Sequence, residues 1–246
     1  MRIALMADIH ANREAFSACL AHARAHGAER FAFLGDYVGY GADPGWVVDT
    51  VMAEVRAGAA AVLGNHDHAI AEPRETMNPY AEMAIAWTRG QLGPEARGFL
   101  AGLPTGVGDE ERLYIHAGGK APDHWRYVVD SGEAARCIGD QAARLTFCGH
   151  VHVPAVFGAR AGGPPIRFRP VSGVAIPLLR HRRWLCVLGS VGQPRDGDPG
   201  ASYAILDTRA DEITYLRVPY DFDATAEKIR RAGLPEALAL RLSRGR

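Results

Sequence analysis

Side chains that can bind metal ions recur in this sequence wherever a short apolar run ends. Such runs stop at Asp8-Ile9-His10, Gly35-Asp36, Gly64-Asn65-His66-Asp67, His116 and Gly149-His150-Val151-His152. Carboxylate, amide and imidazole groups without thiolate favour Mn²⁺, Fe²⁺ or Zn²⁺ over Mg²⁺ and Ca²⁺. A carboxylate such as that of Asp36 has two oxygens and can bridge two cations about 3.5–4 Å apart. These residue types therefore predict a site for two divalent metal ions.

Two pairs of these residues are spaced two positions apart. Asp8 and His10 form one pair, and His150 and His152 form the other. On an extended backbone, residues i and i+2 face the same side, so we expect each pair to hold one ion from one side of the chain. Glycines in three of the motifs permit the tight backbone that turns a strand into a ligand loop.

The elements that must position these residues alternate between strand and helix in the first third of the chain. Apolar runs at 2–7, 31–34 and 59–63 predict buried strands. A helix capped by Asn12 and a second helix at 44–55 separate them. This order predicts right-handed crossovers and a parallel sheet. Because the carboxyl ends of the strands in such a sheet line one crevice, the polar strand ends are expected to converge.

The remainder of the chain is richer in predicted strands. Helices are expected at 80–92, 95–101, 132–141, 223–232 and 235–243, and strands near 106 and at 113–115, 145–148, 153–158, 165–171, 184–188, 202–207 and 212–218. The chain shows no internal repeat and no low-complexity segment. A single domain over residues 1–246 is therefore expected.

Composition and charge exclude several classes of protein. Lys plus Arg and Asp plus Glu number 28 each, so the net charge is zero and gives no general attraction to nucleic acid or to an anionic membrane. The four cysteines have no CxxC spacing, which disfavours a thiolate zinc site and fits a reduced, cytoplasmic setting. Neither a signal peptide nor a membrane span is expected, because no apolar run is long enough.

Taken together, the motifs resemble those of the calcineurin-like metallophosphoesterases. DIH at 8–10, GDYVG at 35–39, GNHD at 64–67, the strand-terminal His116 and GHVH at 149–152 occur in that family's order. GSVGQPRDGDPGASYAILD at 189–207 is similar to a segment of a bacterial branch of small phosphodiesterase-like members. The resemblance implies an α/β fold, a four-layer α/β/β/α sandwich, and a phosphodiesterase or phosphatase activity.

The resemblance also implies a role for each matching residue. One metal would be held by Asp8, His10, Asp36 and His152, and the second by Asp36, Asn65, His116 and His150. A hydroxide bridging the two metals would attack phosphorus, and His66 would be the general acid for the leaving oxygen. The cofactors would be two divalent ions, with Mn²⁺ expected and Fe²⁺ or Zn²⁺ as alternatives.

Departures from the family pattern bear on the substrate. Protein Ser/Thr phosphatases of the family carry an acid and an arginine in GDxVDRG, whereas this chain reads GDYVGYG, which disfavours a phosphoprotein. Tyr37, Lys120 and Arg195 are expected to bind substrate. Tyr37 or Tyr40 would stack on a nucleobase, and Arg195 or Lys120 would approach phosphate. The alternative for these side chains is ordinary loop packing or surface charge.

Several functions remain open at this stage. A small phosphodiester or phosphomonoester is the expected substrate, and dinucleoside polyphosphates are a narrower possibility within that class. The alternatives are a catalytically silent metal-binding scaffold and a nuclease. A scaffold need not keep all seven ligands and the acid. A nuclease would need a basic groove, which the scattered arginines do not indicate, so nucleic acid is not expected as a partner.

Overall fold

A computed structural model gives the fold and describes residues 1–72, 77–119, 121 and 124–246. The strands are β1 (Arg2–Met6), β2 (Arg30–Phe33), β3 (Ala60–Ala61), β4 (Gly106–Asp109), β5 (Arg112–Ile115), β6 (Leu145–Cys148), β7 (Ala155–Ala159), β8 (Ile166–Phe168), β9 (Ala175–Pro177), β10 (Arg183–Val187), β11 (Ala201–Asp207) and β12 (Glu212–Val218). The helices are α1 (Arg13–Ala25), α2 (Pro44–Arg56), α3 (Asn65–Ala71), α4 (Pro79–Gln91), α5 (Pro94–Ala101), α6 (Ser131–Gly139), α7 (Phe222–Arg231) and α8 (Glu236–Arg244).

These strands form two sheets of six strands each. The first has the order β3-β2-β1-β11-β12-β9, and the second has the order β4-β5-β6-β10-β7-β8. In the first sheet β1, β2 and β3 are parallel, as the alternation of strands and helices predicted. In the second sheet β5, β6 and β10 are parallel. The carboxyl ends of β1, β2 and β3, and those of β5 and β6, are where the polar motifs lie.

The two sheets pack face to face, and helices cover their outer faces. Along β1 the side chains alternate: Ile3 and Leu5 join the core shared with the second sheet, where Phe147 of β6 also lies. Ala4 and Met6 join the core formed with α1 and α2. On the outer face of the second sheet, α6 packs against β7 and β10. The fold is thus the expected four-layer α/β/β/α sandwich.

Some elements differ from the sequence prediction. The strand expected at 59–63 is reduced to Ala60–Ala61. The helix α3 was not predicted; the Asp67 carboxylate accepts the backbone N–H of Gly64 at 3.0 Å and caps its first turn. The edge strand β9 was also missed, because a run of only three residues, Ala-Ile-Pro, is too short to show a strand period in the sequence.

The structure also bears on two features that the composition disfavoured, a thiolate zinc site and a membrane-spanning helix. The four cysteines are buried free thiols, and burial raises the pKa of Cys137 to about 11 and that of Cys186 to about 12. Protonated thiols buried in this way are poor metal ligands. No helix in the described ranges combines the length and apolarity that a membrane crossing requires.

Candidate metal centre

The polar strand ends of both sheets meet in one buried region. The ligand atoms form three clusters, in each of which all atoms lie within 4.8 Å of one another: Asp8, His10 and His152; His10, Asp36 and His66; and Asp36, His116 and His150. All of these side chains are buried. Asp36 belongs to two of the clusters, one on each side, which suits a carboxylate that bridges two ions.

Four atoms surround the first half of this region. Oδ1 of Asp8 lies 3.3 Å from Nε2 of His152 and 4.0 Å from Nε2 of His10. The two imidazole Nε2 atoms are 3.1 Å apart, and Oδ2 of Asp36 lies 3.7 Å from that of His10. Such separations suit donor atoms that each lie about 2.0–2.2 Å from one shared ion.

The second half is arranged around Nε2 of His116. This atom lies 3.5 Å from Oδ1 of Asp36, 3.1 Å from Oδ1 of Asn65 and 3.2 Å from Nδ1 of His150. The Asn65 side chain reaches this position because α3 begins at that residue. The structure thus brings the seven residues of the predicted ligand set together in two adjacent groups that share Asp36.

The hydrogen bonds of three histidines show that the donor set suits cations. The Nδ1–H groups of His10, His116 and His152 donate to the carbonyl oxygens of Val38, Leu34 and Gln193, at 3.1, 2.7 and 2.6 Å. A neutral histidine held in this way carries a lone pair on Nε2. The Nε2 atoms of His10 and His152 would therefore face each other as two acceptors, an arrangement that a cation between them stabilises.

Unusual backbone conformations position the candidate ligands. The φ angles of Asp8, His10, Asp36, His150 and His152 are 55°, 48°, 56°, 68° and 62°. Residues other than glycine seldom adopt this left-handed region, and they concentrate at functional sites when they do. The expectation that the pairs Asp8/His10 and His150/His152 lie on extended backbone is therefore wrong. Left-handed turns, rather than strand alternation, bring each pair together.

Asp67 organises the turn that contains Asp36. Its carboxylate accepts the backbone N–H groups of Asp36 at 2.7 Å and Tyr37 at 2.9 Å, in addition to that of Gly64. The backbone N–H of His66 donates in turn to Oδ1 of Asp36 at 2.9 Å. Burial and the Asp36 carboxylate raise the pKa of Asp67 to about 8. This network connects the second and third motifs directly.

The electrostatics of the site keep most of its imidazoles neutral. Burial lowers the pKa of His66 to about 4, and burial together with His116 lowers that of His150 to about 3. His116 differs: burial lowers its pKa, but the Asp36 and Asp8 carboxylates and the bond to the Leu34 carbonyl together outweigh this effect and raise it to about 9. The position facing Asp36 therefore favours positive charge, which either a proton or a metal ion supplies.

His66 lies at the wall of the cleft beside the ligands. Its Nε2 is 3.9 Å from Oδ2 of Asp36, and its ring meets those of His10 and Tyr40 edge to face at 4.8 and 4.6 Å. Its Nδ1 is one of the buried polar atoms that have no partner among the described residues. By distance His66 belongs to one cluster with His10 and Asp36. The geometry therefore permits His66 to be either a metal ligand or a proton donor.

The cleft above the site has a volume of about 260 Å³. Its lining consists of Asp36, Tyr40, Asn65, His66, Met77, Asn78, Trp125, Tyr127, His150, His152 and Arg195. Arg195 and Tyr40 therefore both line the cleft, and substrate binding by these residues stays a prediction. Lys120 lies outside the described residues.

Tyr37 is a correction to the sequence analysis, because it does not reach the cleft. Its side chain is 0% exposed, and its hydroxyl donates to the carbonyl of Val62 at 2.7 Å. The ring belongs to the core between the first sheet and its helices. Stacking on a substrate is therefore excluded for Tyr37, whereas Tyr40, three residues later, lines the cleft.

Four residues of the cleft were not expected from the sequence: Met77, Asn78, Trp125 and Tyr127. The available signal was the spacing of Trp125 and Tyr127, which are two positions apart shortly after His116. On extended backbone such a pair faces the same side. Met77 and Asn78 carry no comparable signal.

Comparisons with known proteins agree with this geometry. The family model of the calcineurin-like phosphoesterase superfamily domain matches residues 1–211. The uncharacterized protein MJ0912 of Methanocaldococcus jannaschii is 35% identical over 251 aligned positions, which cover 99% of this chain and 98% of the relative.

Solved structures show the same architecture. A metallophosphoesterase from Sphaerobacter thermophilus is 36% identical, with a TM-score of 0.86 and coverage of 100% of this chain and 99% of that one. The hypothetical protein PH1004 of Pyrococcus horikoshii shares the fold at 18% identity, with a TM-score of 0.76 and coverage of 100% and 98%. The fold, the convergent ligand atoms and the family match lead to one conclusion: this chain belongs to the calcineurin-like phosphoesterase superfamily.

Proposed function

We propose that this chain is a two-metal hydrolase of small phosphodiesters or phosphomonoesters. The observation that supports this most strongly is the convergence of two groups of ligand atoms that share Asp36, with histidine lone pairs turned towards each other. Among the described residues no other group of three such side chains, separate from these, lies close enough to hold an ion. We also propose that residues 1–246 act as one domain, since the two sheets share a core.

The ligand set divides between two ions. Asp8, His10 and His152 would hold one ion, and Asn65, His116 and His150 would hold the other, with Asp36 shared. When bound, such ions act as Lewis acids on phosphoryl oxygens and lower the pKa of coordinated water towards about 7. Mn²⁺ is the proposed ion, with Fe²⁺ or Zn²⁺ as alternatives, because the donors are nitrogen and oxygen.

Two further residues act on the substrate in this proposal. His66 lies at the cleft wall beside Asp36 and donates a proton to the leaving oxygen. Its role as acid rather than ligand rests on the family motif, because the seven other residues already provide both groups of donors. Arg195 lines the same cleft and binds a phosphoryl oxygen through its guanidinium.

The shape and charge of the cleft favour a small substrate over nucleic acid. Arg195 is the one arginine or lysine among the described residues that line it. A nuclease groove neutralises several successive phosphates and needs correspondingly more cations. A small ester with one or a few phosphates fits the single arginine, and dinucleoside polyphosphates remain within this class.

Metal replacement tests the proposal. The protein would be stripped of metal, reloaded with Mn²⁺ and assayed with bis-p-nitrophenyl phosphate and p-nitrophenyl phosphate. We expect turnover to return with two bound ions. Asp36→Ala should lower the metal content and abolish turnover. His66→Ala should keep two ions and lower kcat by about 10²–10⁴-fold, the usual contribution of general acid catalysis.

The exposed His181 provides a matched control, since it lies in none of the three clusters. His181→Ala should retain both ions and full turnover. Two bound ions without turnover of either ester, with Mn²⁺, Fe²⁺ or Zn²⁺, would contradict hydrolysis and favour the scaffold function. Loss of metal in His66→Ala would make His66 a ligand instead of the acid.

A further inference from the structure

One wall of the cleft presents a positioned cation. Nη2 of Arg195 donates to Oε1 of Gln193 at 3.0 Å, and the guanidinium lies 5.7 Å from the ring centroid of Tyr40. The backbone N–H of Arg195 donates to the carbonyl of His152 at 3.2 Å. Both partners of Nη2, Gln193 and the Tyr40 hydroxyl, are neutral, and the buried Nε has no partner among the described residues. This charge is available to an anion beside the metal ligands.

Another wall of the cleft is aromatic, and we call Trp125 and Tyr127 the aromatic wall. The Tyr127 ring lies flat on the imidazole of His150, with 4.0 Å between centroids and 21° between planes. The side chain is still 50% exposed, so the ring face turned away from His150 is accessible. Trp125 lines the same cleft, and its indole N–H is buried without an acceptor in the described part of the chain.

The backbone holds the aromatic wall in place. Arg126 and Gly118 exchange two backbone hydrogen bonds of 2.9 Å, which attach this segment to the chain just after His116. Because alternate residues of an extended segment face the same side, Trp125 and Tyr127 both reach the cleft while Arg126 points elsewhere. The Arg126 side chain instead approaches Glu133 of α6, with 3.6 Å between Nε and Oε2. The wall is therefore part of the scaffold that carries His116.

We propose that the aromatic wall binds the base of a nucleoside that is esterified to the phosphate under attack. This inference rests on the proposed function and narrows its substrate to nucleoside phosphate esters. The base stacks on the accessible face of Tyr127, and the phosphate lies between the metal ligands and Arg195. A flat apolar group directly joined to an anion matches both walls of the cleft. Base stacking on an aromatic side chain strengthens binding by about tenfold or more.

The unpartnered donor on Trp125 distinguishes a base from a simple aryl ring. Nucleobases carry acceptor atoms at their edges, and a buried indole N–H gains a hydrogen bond from such an atom. The phenyl ring of a tyrosine phosphate has no acceptor there and would leave the donor unpaired. The wall therefore fits a nucleoside better than a phosphotyrosine side chain.

Two diesters with the same leaving group test the inference. The p-nitrophenyl ester of thymidine monophosphate carries a base, whereas methyl p-nitrophenyl phosphate does not. For the Mn²⁺-loaded wild-type protein we expect kcat/KM to be at least about tenfold higher for the thymidine ester. Tyr127→Ala should lower this ratio by about tenfold, and Tyr127→Phe, which keeps the ring, should preserve it. Trp125→Phe removes the indole donor and should lower the ratio by about fivefold.

The ratio separates stacking from damage to the metal site. Tyr127 contacts His150, so a disturbed metal centre would lower turnover of both diesters equally, and the metal content of each variant would show it. Tyr80→Ala, at an exposed tyrosine outside the cleft, is the control and should leave the ratio unchanged.

Four outcomes would overturn the inference. If kcat/KM is equal for the two diesters in the wild type, or if the ratio is unchanged in Tyr127→Ala, the base does not stack on Tyr127. The proposed function would still stand in both cases. Faster, Tyr127-dependent turnover of a phosphotyrosine peptide would assign the wall to an aryl phosphate. No turnover of either diester or of p-nitrophenyl phosphate, with two ions bound, would remove this inference together with the proposed function.

Discussion

Gly39 contacts His66 so closely that no larger residue fits without moving the imidazole. A methyl group at this position would lie 2.2 Å from Nδ1 of His66, and the glycine has a φ of +84°. We therefore expect Gly39→Ala to displace His66 and lower kcat by about 100-fold, the effect of a misplacement near 1 Å. Both metal ions should remain bound. Steady-state kinetics and metal analysis measure the two quantities.

Gly173 provides a control for Gly39, because a substitution there introduces backbone strain without a contact to His66. It has a similar φ of +77° and no atom within 4 Å of the position of a new methyl group. Gly173→Ala should therefore lower the free energy of unfolding by about 1–2 kcal/mol, the cost of a left-handed alanine, with kcat unchanged. If Gly39→Ala also retained full kcat, His66 would have no part in the reaction.

Tyr37 should affect stability rather than substrate binding. Its hydroxyl is buried, and Tyr37→Phe would leave the carbonyl of Val62 without this donor. We expect a loss of about 1–3 kcal/mol in the free energy of unfolding, with KM unchanged. Denaturant unfolding and kinetics test both parts, with Tyr80→Phe at an exposed position as control. A raised KM with unchanged stability would return Tyr37 to the cleft.

Residue types identified the candidate ligands from the sequence, but not their conformations. The ligands were visible because each ends an apolar run and belongs to a motif. Their left-handed backbone conformation was not visible in the sequence, because Asp and His seldom adopt it and a motif shows only the spacing of its residues. Tyr37 and Tyr40 illustrate the same limit. The turn that contains them has no regular period, so nothing in the sequence shows which ring faces the core.

At the scale of elements, Asn12 connects the start of α1 to the loop that carries Arg195. Its Oδ1 accepts the N–H of Ala15, and its Nδ2 donates to the carbonyl of Gly192 at 2.9 Å. Asn12→Ala removes both bonds inside the core, together with the bonds of this side chain to the hydroxyls of Tyr220 and Thr225. We expect the free energy of unfolding to fall by about 2–3 kcal/mol, about 1 from the cap and the remainder from the other buried hydrogen bonds, chiefly that to the Gly192 carbonyl.

Two variants resolve these contributions in denaturant unfolding. Asp130→Ala removes only a cap, the bond from the N–H of Glu133 at the exposed start of α6, and should cost about 1 kcal/mol. Asn12→Asp keeps the cap but cannot donate to Gly192, so it should fall between the wild type and Asn12→Ala. Equal losses in Asn12→Ala and Asp130→Ala would show that the link to Gly192 contributes nothing.

The same element shows why local signals predicted some structure well and some poorly. For α1, the cap at Asn12 and the apolar period were both present in the sequence, and the helix lies where they placed it. In contrast, β9 pairs with β12 through only three residues, and this pairing depends on chain folded far away in sequence. Pairing of that kind is decided by tertiary contacts, which local propensity does not contain.

At the scale of the whole molecule, the proposed metal centre joins the two sheets. Asp8 and Asp36 follow strands of the first sheet, whereas His116 and His150 follow strands of the second. Ions held between them would bind only the folded chain, because unfolding separates the ligands. Each such ion stabilises the fold by about 2.7 kcal/mol when its free concentration is 100 times its Kd. The reaction centre would thus also be a cross-link of the sandwich.

This cross-link should be visible in thermal unfolding. For a chain of this size, 1 kcal/mol corresponds to about 2–4 °C, so removal of Mn²⁺ from both sites of the saturated protein should lower Tm by about 10–20 °C. Calorimetry with Mn²⁺ and with a chelator measures the shift, and readdition of the ion should reverse it. Asp36→Ala, which lacks the shared carboxylate, should show little response to Mn²⁺. If the wild type binds two ions but its Tm does not change, the ions do not hold the sheets together, because binding selective for the folded state must raise Tm.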